Sequence, residues 1–206
     1  MPRPVDYYLS VASPWTYLGH APFMELARRH GVEIRWKPVL LGEVFDQTGG
    51  LPLARRHPAR QRYRLLELQR WREARGVPLV LQPPHFPFDP SLADRAAIAI
   101  VRSGGDPAAW LACAHAGVWA REENLADPAT VGALLAEAGY DAPAVLAAAG
   151  EPEAAAAYAR NRDDAIAAGV FGAPSWVVDG EVFWGQDRLE LLDAMLASQR
   201  EAYRAA

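Results

Sequence analysis

The chain reads as an α/β protein whose sheet-forming segments lie at its two ends, separated by a long helical stretch. Residues 5–36 run strand, helix, strand, whereas residues 41–162 carry helical spacing almost throughout. Two short strands then return around Asp179-Gly180, followed by a last helix. This order predicts an insertion rather than two domains in tandem: a discontinuous α/β lobe from residues 1–44 and 165–206, and an all-helical domain from 45–164.

Each element has a local cause. Val5 to Leu9 is an apolar strand that hands over through Ser10-Val11-Ala12 to Ser13-Pro14-Trp15-Thr16-Tyr17-Leu18-Gly19. Pro14 suits a first helical turn, where its missing N–H has no partner anyway, and Ser13 suits the N-cap before it. Tyr17, Leu18, Ala21 and Met24 continue at helical spacing to His30, and Gly31 supplies a C-terminal cap. Val32 to Trp36 alternates as a strand ending before Pro38, and the connection favours a parallel pair. Helices are expected over Pro58 to Arg75, Ser91 to Ser103, Pro107 to Arg121, Pro128 to Ala138, Ala142 to Ala148 and Pro152 to Ala168. Asp106-Pro107, Asp127-Pro128 and Glu151-Pro152 mark helix starts. Ser175 to Val178 and Glu181 to Trp184 read as a hairpin, and the last helix is expected from Asp187 to about Tyr203.

Composition excludes several classes. The 206 residues are 51% hydrophobic and 22% charged, with a net charge of -4. Twenty of the 21 basic residues are arginine, but acidic residues outnumber them and no long basic block occurs, so no nucleic-acid partner is expected. Asp6 interrupts the apolar start, and no window approaches the roughly 18 apolar residues of a membrane span. A cytoplasmic protein is the expectation. Cys113 is the single cysteine, which rules out an internal disulfide or a CxxC pair and reads as a buried thiol. The five histidines lack ligand spacing, so no metal is expected, and the seven tryptophans read mostly as core.

Three places could carry chemistry. Ser13, at the positive end of a helix dipole, is where an anion would dock. Gly169-Val170-Phe171-Gly172-Ala173-Pro174-Ser175 places a proline at the mouth of the hairpin, and taken with Ser13 it reads as a cis X-Pro bond. Phe183-Trp184-Gly185-Gln186-Asp187-Arg188 ends a strand and opens a helix, with Asp187 either capping that helix or pairing with an ammonium group. Arg55, Arg56, Arg60, Arg62 and Arg64 form the one basic cluster, either a solvated helix face or a surface for an anionic substrate.

With Leu68-Gln69-Arg70-Trp71, the Ser13-Pro14-Trp15, Gly172-Ala173-Pro174 and Trp184-Gly185-Gln186-Asp187 segments resemble the 2-hydroxychromene-2-carboxylate isomerases, relatives of kappa-class glutathione transferases in the DsbA-like thioredoxin branch. The resemblance spans nearly the whole chain. It implies a thioredoxin-like fold with an inserted all-helical domain, glutathione as cofactor, and a homodimer. It implies that Ser13 is the catalytic residue and holds the glutathione sulfur, where thioredoxins carry a reactive cysteine. By the same resemblance Ala173, before Pro174, pairs its backbone with the cysteinyl part, and Trp184, Gly185, Gln186 and Asp187 hold the γ-glutamyl end. Arg60 falls where the family usually has a base for the glycyl carboxylate. The chain departs from the naphthalene-pathway members at Phe45, Gly50 and Gln186, the first of which replaces a lysine for the substrate carboxylate. The implied reaction is a reversible addition of glutathione thiolate to a small conjugated, aromatic substrate. A glutathione transferase and a non-catalytic peptide-binding module are the alternatives.

Overall fold

Alternation along the first strand decides the layering, because successive side chains of a strand point to opposite faces. In the computed structural model, which describes residues 3–204, β1 (Pro4–Leu9) buries Tyr7 and Tyr8 in two separate cores. It pairs in parallel with β2 (Glu33–Pro38) and antiparallel with β3 (Ser175–Val178), which forms a hairpin with β4 (Glu181–Trp184). The sheet order is β2-β1-β3-β4. Tyr7 stands opposite Trp176, and both pack on Phe23 of α1 (Pro14–His30). Full burial of side chains of this size is worth about 1.5–3 kcal/mol each.

The middle of the chain forms α2 (Leu41–Thr48), α3 (Pro58–Arg75), α4 (Ser91–Arg102), α5 (Ala108–Ala120), α6 (Pro128–Glu137), α7 (Ala142–Gly150) and α8 (Pro152–Ala167). A 3-10 turn, Gln186–Arg188, then leads into α9 (Leu189–Ser198). The fold is thioredoxin-like, with helices inserted between β2 and β3. Its main core is continuous from Tyr7, Leu9 and Trp176 to Ala96, Trp110 and Trp119 of the inserted helices. Tyr8 and Val177 face the other way, against Val44 of α2 and Ala165 of α8. The boundaries drawn at 44/45 and 164/165 fall inside α2 and α8.

Several local expectations shift. Strand β2 runs through Pro38, which is tolerated because β2 is an edge strand, and the next residue donates from Val39 N to the Leu9 carbonyl at 2.8 Å. Helix α2 lies within the helical stretch that begins at residue 41 but is not among the individual helices expected there, since eight residues give little periodicity to read. The last helix stops at Ser198 because Gln199 turns left-handed (φ 52°). Beyond it the Tyr203 N–H donates to the Glu181 carboxylate at 2.7 Å instead of continuing a helical ladder. Cys113 is half-buried rather than enclosed, its sulfur accepting from Arg121 at 3.6 Å. Asp127 caps α6 through its side chain as expected, whereas Glu151 precedes α8 without a side-chain bond.

Candidate active site

Ser13 closes the loop between β1 and α1. Its extended backbone (φ -97°, ψ 116°) and a bond from the Thr16 N–H to its Oγ make it the N-cap. The same hydroxyl donates to the Ala173 carbonyl at 3.0 Å, and the residue is only 3% exposed. Pro14 has no N–H and Thr16 N is satisfied by Ser13, so the Trp15 N–H is the first-turn donor left without an acceptor among the described residues. One buried hydroxyl and one free amide thus meet at the positive end of a helix of 17 residues.

The loops opposite are fastened to one another. Ala173-Pro174 is cis, and the Pro174 carbonyl accepts from Gly185 N at 2.9 Å. Gly172 is required by contact, since a Cβ there would lie 2.5 Å from Trp184 Nε1. Trp184 is 49% exposed and meets Phe171 edge-on with ring centroids 4.6 Å apart, leaving an open aromatic wall beside the site. Asp187 caps nothing: its carboxylate pairs with Arg188 at 2.9 Å and stays partly exposed. Gln186 is buried, and its Oε1 accepts two bonds from Arg75 of α3, at 3.0 and 2.8 Å. Its side chain therefore faces α3. Arg60 lies exposed in the first turn of α3, with no ion pair among the described residues.

Residues 4–197 match the DSBA-like thioredoxin domain. A 2-hydroxychromene-2-carboxylate isomerase of Sphingobium xenophagum is 30% identical over 198 residues, covering 95% of this chain and 99% of that protein. The chain belongs to the 2-hydroxychromene-2-carboxylate isomerase family. A solved structure of a 2-hydroxychromene-2-carboxylate isomerase superposes with a TM-score of 0.78 at 28% identity, covering 95% of each chain. A glutathione S-transferase kappa 1 of Caenorhabditis elegans is 36% identical over 87 residues, which are 42% of this chain and 37% of that one. The chain is thus an enzyme of an isomerase family in the DsbA-like branch.

In this isomerase-family chain, the residues that hold the Ser13 loop come from the inserted helices, and sequence reasoning missed them. Asp94 of α4 is fully buried and accepts from Val11 N at 2.9 Å, Ser10 Oγ at 2.9 Å and the Tyr158 hydroxyl of α8 at 2.8 Å. Trp119 of α5 donates from Nε1 to the Val11 carbonyl at 3.1 Å. His115 Nε2 lies 3.4 Å from the Ser10 carbonyl, and burial pushes its imidazole down to about 3, so it is neutral. Burial likewise pushes the Asp94 carboxyl up to about 7, against the three bonds that oppose the shift. Asp94 does not touch the place where a ligand would sit; it positions the loop that presents Ser13. The signal available was a single acid just ahead of the apolar run Ala96 to Val101, but Asp94 has Arg95 next to it and Ser91-Leu92-Ala93-Asp94 also fits a capping box. Asp89 takes that capping task instead, accepting from Ser91 N at 2.9 Å. A cleft of about 370 Å³ between α2, α4 and α8 borders Tyr158, but Ser13 does not line it.

Proposed function

We propose that the chain is a glutathione-dependent isomerase of a small conjugated, aromatic substrate. The observation that carries this reading is the buried Ser13 hydroxyl, capping α1 and shared with the Ala173 carbonyl beside Pro174. The residues suit a ligand that brings its own sulfur. Serine cannot enter a disulfide, and the single cysteine, Cys113, sits on α5 against Arg121. The kinship to a protein named glutathione S-transferase kappa 1 supports the tripeptide.

When bound, glutathione supplies a thiolate that adds reversibly to a conjugated carbon, lowers its double-bond order and permits rotation before leaving. The protein's part is to hold that sulfur as an anion, because a free thiol near pKa ~8.5 is mostly protonated at neutral pH. The Ser13 hydroxyl, turning from the Ala173 carbonyl, and the Trp15 N–H would donate to it in the field of the α1 dipole. The Ala173 backbone, so released, would pair with the cysteinyl part next to Pro174. Trp184, Gly185 and the Gln186 backbone would line the γ-glutamyl end, with the Asp187 carboxylate on its ammonium, and Arg60 is the candidate for the glycyl carboxylate. A cytoplasmic location and a homodimer belong to the same proposal.

Titrating the bound thiol by its ultraviolet absorbance in wild type and Ser13→Ala tests the role of Ser13. A thiol pKa raised by about one to two is expected, the value of one charge-assisted hydrogen bond. An unchanged value removes Ser13 from the mechanism. Interconversion of a conjugated aromatic pyruvate with substoichiometric glutathione identifies an isomerase, whereas consumption one for one identifies a transferase.

A further inference from the structure

Helix α3 carries a sheltered guanidinium with no hydrogen-bond or ion-pair partner among the described residues. Arg64 lies one turn before Leu68, which packs on Leu18 of α1, while Arg75 at the far end of α3 reaches Gln186 beside Gly19. These contacts lay α3 along α1, and Trp15 of the first turn of α1 packs against the same cluster as Leu68. A second path gives the same placement. The Arg64 guanidinium stands over the Phe86 ring at 5.9 Å, Phe86 packs on Trp119 at 5.1 Å, and Trp119 donates to the carbonyl of Val11, two residues before Ser13.

The other partly buried cations among the described residues each have a bonded oxygen: Arg3, Lys37, Arg162 and Arg200 have the carboxylates of Asp179, Asp164, Glu43 and Glu181, and Arg56, Arg75 and Arg95 have neutral oxygens. Arg64 has no ion pair and no hydrogen bond among the described residues, although it is partly buried. Among the described residues the charge that bears on it is another cation, Arg56. Arg56, also without a carboxylate, lies over Phe45 at 5.8 Å and spends its Nε on the Leu51 carbonyl at 2.7 Å. Burial first and Arg56 second push the Arg64 guanidinium down to about 10. Two partly desolvated guanidinium groups without a counter-charge among the described residues make an unfavourable arrangement that an anion would relieve.

We propose that Arg64, with Arg56 beside it, is the carboxylate subsite of the active site and takes a carboxylate of a ligand bound at Ser13. The planar fork of Arg64 suits two parallel bonds to a carboxylate. Phe86, on which the guanidinium rests, keeps it from folding away. This rests on the reading that glutathione binds at Ser13. Two carboxylates meet the description, the glycyl group of the tripeptide, which Arg64 would then hold in place of Arg60, and the acid group of the conjugated substrate.

The test compares wild type, Arg64→Met and Arg64→Lys, each confirmed as folded by circular dichroism. Calorimetry gives Kd for glutathione and for its glycyl monoethyl ester, and kinetics give KM for benzylidenepyruvate and for its methyl ester. Loss of a paired carboxylate bond predicts about a tenfold or greater weakening in Arg64→Met, with a smaller loss in Arg64→Lys. A loss for glutathione but not its ester assigns the glycyl group, and a loss for benzylidenepyruvate but not its ester assigns the substrate acid. Constants all within about twofold of wild type in a folded Arg64→Met overturn the proposal while leaving the function intact. Failure of wild type to bind glutathione at millimolar concentration removes both.

Discussion

Replacing Asp94 by asparagine isolates one buried carboxyl with little change of shape. The amide oxygen still accepts the Val11 N–H, while Ser10 Oγ and the Tyr158 hydroxyl can rotate to accept from the amide nitrogen. Asparagine therefore resembles the protonated acid, and the two proteins should differ mainly in what ionisation costs. In the folded chain the carboxyl is pushed by burial from 3.8 up to about 7. Between these values the native state binds a proton that the unfolded state has released, so the stability contributed by this group falls as pH rises through the window. Across the whole interval the change is about 4 kcal/mol, at 1.36 kcal/mol for each factor of ten in proton affinity. Urea unfolding of both proteins at pH 5 and pH 8 reads about 2.7 kcal/mol of it, the part between pH 5 and about 7, because groups common to the two cancel in the difference. Wild type should gain on the asparagine variant at pH 5 and lose that gain by pH 8. A difference that stays flat with pH would refute the reasoning, since it would mean that the carboxyl ionises as freely in the fold as out of it.

Other outcomes follow from contacts at the same site. Gly19→Ala should destabilise the chain by about 1–3 kcal/mol in thermal or urea unfolding, the usual cost of overpacking, because its Cβ would lie 2.9 Å from Gln186 Cβ. Arg75→Met leaves Gln186 Oε1 without either of its bonds from Arg75 and should cost about 1–3 kcal/mol of stability. It should also weaken glutathione binding if the 186–187 turn holds the γ-glutamyl end, which calorimetry reads directly. Ser13→Ala should lower stability by about 1 kcal/mol through the lost cap, whatever it does to the thiol.

Much of the frame is legible in residue order because its causes are local. The Ser13-Pro14 start and Gly31 stop of α1 come from capping chemistry that involves only neighbouring residues, and both ends fall where expected. The Asp179-Gly180 turn with its flanking strands is of the same kind, with φ 51° at Asp179 and 87° at Gly180. Asp187 was less legible: capping and ligand recognition draw on the same residue type, and the structure leaves its carboxylate with Arg188 instead of on a helix end. Gln186 sits in a motif that suggested a ligand contact, yet its side chain is occupied by a residue 111 positions away.

Periodicity and capping in the chain by itself set the element order, the N-terminal helix cap at Ser13 and the interrupted α/β plan, since these depend on interactions within a few residues. Tertiary structure alone decided that Asp94, His115, Trp119 and Tyr158 grip the loop before Ser13 and that Arg64 is sheltered over Phe86. The physical reason is separation along the chain. A buried polar group takes its partner from whichever element packing brings within about 3 Å, and nothing in local sequence spacing records that choice.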